Sequence, residues 1–144
     1  MRERDEYESG WAELGRRRLA GELSTPEASA LALTSIRRIA QRIVASDADL
    51  LRAAVGIYFF AWFGGDWDDD QPAEELKHWG AEFIQLADAL ECNQDDEASR
   101  EAWTAFIRKA ATAGLAGEEF PAWSDAPSAR PPHRGFPEPE EGMC

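Results

Sequence analysis

Residues 66–70 read Asp-Trp-Asp-Asp-Asp, and Glu74 and Glu75 follow after Gln-Pro-Ala. Four carboxylates in five residues repel one another, which costs stability unless something nearby offsets it. A helix N-terminus is one offset, at about 0.3–1 kcal/mol per acid. Asp70, Glu74 and Glu75 fit that role; Asp66, Asp68 and the intervening Trp67 do not. Those three point to a protein-binding edge, with Trp67 as anchor and the carboxylates steering a basic partner. The candidate partner-binding set is Asp66, Trp67, Asp68, Asp69, Asp70, Glu74, Glu75 and Glu82. Acids repeated along a helical surface also imitate nucleic-acid phosphates, and Glu75, Glu82 and Asp88 or Glu91 would extend such a face.

A metal site is the competing reading of the same residues. Asp66, Asp68 and Asp70 match positions 1, 3 and 5 of a calcium loop. Gln71 stands where the bend needs Gly, and Lys77 where the bidentate Glu belongs, so the match fails at both positions. Glu75 and His78 make one Glu-x-x-His step. A di-iron bundle needs two such steps and two further carboxylates, and the other histidine, His133, lies in a Pro-rich stretch. His78 reads as a surface or boundary residue, and no metal or other cofactor is expected.

Nucleophilic catalysis has less support. There is no Gly-x-Ser-x-Gly, no P-loop and no Cys paired with a credible His. General acid–base chemistry would rest on carboxylates alone. No catalytic residue is assigned, and the protein is read as a non-enzyme.

Charge sharpens the choice. The 144 residues carry a formal net charge of −13, which argues against direct binding to nucleic acid or an anionic membrane. Residues 1–65 hold nine acids and nine bases, whereas residues 66–101 hold thirteen acids against Lys77 and Arg100. The acidity is one contiguous segment. Arg16, Arg17, Arg18, Arg37, Arg38 and Arg42 form the basic counterweight, read as solvated helix faces that pair with acids within or between chains.

The elements that must position these residues are helical. Tyr7, Trp11, Leu14 and Arg18 mark the seam of a first helix over about 3–20, weakened by Gly10 and Gly15. Ser24-Thr25-Pro26-Glu27 offers a capping box to a second, whose apolar residues recur at three and four. Ser46 to Asp49 can cap a third, about 47–63, apolar on nearly every face and so expected at the centre of the bundle. Its aromatics, Trp62 among them, read as core, and Trp62→Ala would then cost about 3–5 kcal/mol. Gly64-Gly65 ends it as a left-handed cap, and the 64–71 loop is expected to be exposed. A fourth helix, with Pro72 in its first turn, runs to about Cys92; a fifth begins at Asp95 or Asp96 and runs to about Ala113. Six of the eight prolines lie between Pro121 and Pro139, the mark of an extended tail. Phe120, Trp123 and Phe136 are placed to pin it to the domain or to a partner.

The expected architecture is therefore all-α: one bundle of about five helices over 1–115, and a Pro-rich acidic tail over 116–144. Two thiols far apart, Cys92 and Cys144, read as reduced and hence cytoplasmic. The charged N-terminus reads as no signal peptide, and the apolar run Leu50 to Phe63 is too short to span a bilayer. The expected function is a non-enzymatic acidic protein that engages a basic surface of another protein, in the manner of an inhibitor. Nucleic-acid mimics, phage anti-defence proteins of the anti-CRISPR type and toxin-neutralising immunity proteins share this build. The alternatives are a carboxylate metal-binding protein or metal-dependent hydrolase using Asp66, Asp68, Asp70, Glu75 and His78, and a structural subunit docked through Trp67 and the tail aromatics.

Overall fold

Ser24 and Glu27 fix the start of the second helix by satisfying each other's backbone. The Glu27 N–H donates to Ser24 Oγ at 3.2 Å, and the Ser24 N–H donates to Glu27 Oε1 at 2.9 Å. Pro26 sits in the first turn, where its missing N–H costs nothing. The computed structural model describes residues 2–46, 49–65 and 74–127, with side chains from Tyr7 onward. Over these residues the protein is an all-α bundle without strands. Its helices are α1 (Arg2–Leu19), α2 (Thr25–Val44), α3 (Leu50–Gly64), α4 (Glu74–Cys92) and α5 (Glu97–Leu115), and a short 3-10 turn spans Trp123–Asp125.

The other caps follow the same chemistry. Asp49 Oδ1 accepts from the Arg52 N–H at 3.3 Å, and Asp96 Oδ2 accepts from the Ser99 N–H at 3.0 Å. Gly21 and Gly117 end α1 and α5 at positive φ, 76° and 77°, where a residue without Cβ meets no penalty. Gly65 departs from expectation. It caps α3 in an extended conformation, with φ −85° and ψ 174°, so no left-handed stop is made. Gly64 serves space instead: a Cβ there would overlap the Ala32 methyl and lie 3.1 Å from the Ala28 carbonyl oxygen.

Contacts set the topology. Along α1 and α3, Tyr7 meets Gly56, Gly10 meets Phe60 and Gly15 meets Phe63. The positions advance together, so these helices run parallel. Along α2 and α3 the order reverses, Ala32 meeting Gly64 and Ile39 meeting Gly56. Gly80 near the start of α4 abuts Ala61 near the end of α3, and Gly114 near the end of α5 abuts Trp79, so each of these neighbours folds back on the last. α3 packs on α1, α2 and α4, and α5 closes the other side against α2 and α4.

The core is aliphatic and aromatic throughout. Trp79, Phe83, Ile36, Ile43, Ile57, Leu86 and Ile107 are its largest fully buried side chains. Trp79 and Phe83 are core as the helical spacing implies, but Trp62 is not: it is 50% exposed. α3 has three helical neighbours, and its fourth side faces outward. At Gly64 the seam against α2 leaves no room for a methyl group. Gly64→Ala should therefore cost about 1–3 kcal/mol through forced separation of α2 and α3, seen as a lower urea midpoint with unchanged far-UV circular dichroism.

Candidate acidic interface

α4 brings Glu75, His78 and Glu82 onto one face, because residues three and four apart are neighbours on a helix. Glu74 joins them through His78, whose Nε2 lies 3.5 Å from Glu74 Oε2, with both side chains about two-thirds exposed. Glu75 Oε2 accepts from Arg37 Nη2 of α2 at 2.9 Å, a pairing of the basic counterweight with the acidic segment. The pair is exposed, so it contributes about 0–1 kcal/mol and leaves most of the acidity unbalanced. From residue 74 to 101 the sequence carries nine acids and two bases.

Asp66, Trp67, Asp68, Asp69 and Asp70 lie outside the described residues. Their point of departure is well defined. Gly64 and Gly65, the first residues of the expected exposed loop, are buried. Ser29 Oγ donates to Gly64 O at 2.8 Å, and the Arg18 guanidinium donates to Phe63 O at 2.8 Å and also to Gly65 O. These donors satisfy carbonyls that a helix end otherwise leaves open. Covalent reach alone keeps Asp70 within about 18 Å of Gly65. The acidic run is thus tied to the end of α3 and the start of α4.

Glu82 has a different environment from Glu74 and Glu75. The segment after α5 crosses the α4–α5 seam. Phe120 packs edge-on against Trp79 and Phe83, at centroid distances of 5.4 and 6.0 Å. Trp123 packs on Trp103 and Phe106 at 5.8 and 6.0 Å. Glu82 is half-buried beneath this strap. Burial pushes its carboxyl above the ordinary value, while a hydrogen bond from Trp123 and the nearby His78 pull the other way. Its Oε2 and the Trp103 Nε1 are buried without a hydrogen bond. Glu82 therefore offers a partner less than its neighbours do.

Two features escaped the sequence reading. One is the anchoring of the α3 end by Arg18 and Ser29, for which nothing in residue spacing gives a signal. The other is the outward side of α3, where Leu51, Val55, Tyr58 and Trp62 recur at four, three and four residues. That spacing was visible, but it is identical to the spacing of a core stripe.

Among the described residues no group of three His, Cys, Asp or Glu is placed to hold a metal ion, and the aspartates of the candidate calcium loop are not among them. No helix there is long and apolar enough to cross a membrane. The chain matches no protein-family model, no curated protein and no solved structure.

The Glu82 environment fixes a sign. A carboxyl that holds its proton more tightly when folded opposes folding once ionised. The penalty is present above its folded-state pKa and fades as the pH falls towards the unfolded value of about 4.3. Glu82→Gln keeps an acceptor for Trp123. It should be more stable than the parent near neutral pH, and that advantage should shrink in thermal melts at about pH 4.

Proposed function

We propose that the protein is a non-enzymatic binding protein that presents an acidic face to a basic surface on another protein, as an inhibitor does. The observation that carries this is the partition of charge. Residues 1–65 are neutral in sum, and residues 66–101 hold thirteen acids against two bases. The structure supports it in two ways. Glu74 and Glu75 stand exposed at the start of α4. The end of α3, from which Asp66 to Asp70 depart, is held by side-chain hydrogen bonds.

Among the described residues the fully buried side chains are apolar, while the carboxylates that begin α4 are exposed. A dense surface of carboxylates attracts a cationic partner from a distance and disfavours nucleic acid. Imitation of a nucleic-acid backbone is the form of this reading that suits a partner with a phosphate-binding groove.

Replacing Asp66, Asp68, Asp69 and Asp70 together by Asn tests it. Affinity capture from host lysate, parent beside variant, should retain a basic partner on the parent alone. Raised salt should release that partner, because exposed charges are screened beyond roughly 10 Å at 0.1 M. A partner held equally by the variant at physiological salt would end this reading.

A further inference from the structure

Gly117 turns the chain out of α5 at φ 77°, with open space where a Cβ would stand. Two rings then hold residues 118–127 to the bundle as a strap. The Phe120 ring meets Trp79 and Phe83, and Gly114 leaves it room that a Cβ 2.8 Å away would take. The Trp123 ring meets Trp103 and Phe106, and its side chain donates to Glu82. The backbone hydrogen bonds of the strap are local. Glu118 N–H donates to Ala113 O at 2.9 Å, Asp125 N–H to Ala122 O at 2.9 Å and Ala126 N–H to Trp123 O at 3.0 Å. Trp123 stays 38% exposed. α4 and α5 pack directly on each other and on α2, so the groove beneath the strap belongs to the bundle.

The strap fits this groove incompletely. Trp103 is 5% exposed, yet its Nε1–H has no acceptor, and Glu82 Oε2 is buried with no donor. Both residues abut Trp123. Buried polar groups left unpaired weaken the contact that buries them. Charge is mismatched too: the strap carries Glu118, Glu119 and Asp125, all exposed, over a groove whose own ionisable group is a carboxylate. We infer that the α4–α5 groove binds an extended, basic segment of a partner protein carrying two aromatic side chains three residues apart, and that the strap occupies it as an internal competitor. The partner's rings take the places of Phe120 and Trp123. One of its backbone carbonyls accepts from Trp103 Nε1, and a lysine or arginine donates to Glu82. A second copy's strap is the weaker occupant. It brings the same contacts and the same acids, and it lacks the high effective concentration of the attached strap. This site is additional to the acidic face and does not depend on it.

The test uses the full chain, as parent and as the double variant Phe120→Ala/Trp123→Ala, whose own strap no longer fills the groove. Three peptides spanning residues 117–127 are titrated by calorimetry at physiological salt. One has the natural sequence. The second is a basic form with Glu118→Lys, Glu119→Lys and Asp125→Lys. The third is that basic form with Phe120→Ala and Trp123→Ala. The basic aromatic peptide should bind the double variant at least about tenfold more tightly than the natural peptide does. It should bind the parent at least about tenfold more weakly than the double variant, because the attached strap competes. The basic peptide without rings should bind neither protein. Binding that is equal with and without the rings would reduce the effect to charge attraction and overturn the groove, as would no binding of the basic aromatic peptide to a folded variant. Equal affinity of the natural and basic peptides would overturn the basic occupant. Equal affinity of parent and double variant would overturn the competition. Trp123→Ala alone, which keeps Phe120, takes the place of the double variant if circular dichroism shows the latter unfolded. Hydrogen exchange of the parent is a second readout. The Trp123 indole N–H should exchange by local opening, faster than the core amides of α4 and α5. Its exchange only on global unfolding would overturn a strap that lifts.

Discussion

The closeness of α2 to α3 is the constraint on which the rest of this bundle depends. Gly64 lies against Ala32 and the Ala28 backbone with no room for a methyl group. At that distance the Ser29 hydroxyl reaches Gly64 O, and Arg18 reaches across from the end of α1 to Phe63 O and Gly65 O. A wider separation would break these bonds and leave the last carbonyls of α3 unsatisfied, at about 1–3 kcal/mol for each group left buried. The small-residue seam and the polar anchoring are therefore one device. Together they fix where the chain leaves α3, and so where the acidic run begins.

The electrostatics follow from that placement. α4 receives the acidic segment from the fixed end of α3 and carries its first carboxylates, Glu74 and Glu75, into solvent. Among the described residues of α4, Glu75 pairs with a cation on another helix, Arg37 at 2.9 Å. Arg16 and Arg17 pair instead with Glu13 and Glu22 near the end of α1, and Arg42 lies over the Tyr7 ring at 5.8 Å. Self-repulsion among like charges opposes a compact state, and thirteen acids against two bases over residues 66–101 concentrate that repulsion in one segment.

Much of the fold was legible because helix ends carry local chemistry. Ser24 with Glu27, Asp96 before α5, and Gly21 and Gly117 as left-handed stops all act within a few residues of themselves. Packing was less legible because it depends on which neighbours arrive. Trp62 reads as core in a helix apolar on all sides, and only the placement of α1 and α4 shows that its side of α3 stays outward. Gly10 and Gly15 read as weaknesses of α1. They are where the Phe60 and Phe63 rings come within 2.7 Å of an added Cβ, so tertiary contact accounts for what propensity counts as a cost. Glu82 shares a helical face with Glu75 in the sequence pattern, but the strap that half-buries it comes from about forty residues further along, beyond any local periodicity.

The two aromatic seams of the molecule bear on each other. At α4–α5 the chain supplies its own filling: Phe120 lies against Trp79 and Phe83, and Trp123 against Trp103 and Phe106. Gly114 is shaped to that purpose, since an added Cβ there would fall 2.8 Å from Phe120 and 2.5 Å from Trp79. At α1–α3–α4 the floor is as aromatic, yet Trp62 stays half exposed. A domain of this size can bury large aromatic side chains when a segment is positioned to cover them, as the strap shows. The covered seam also meets Glu82, whose ionised form burial disfavours.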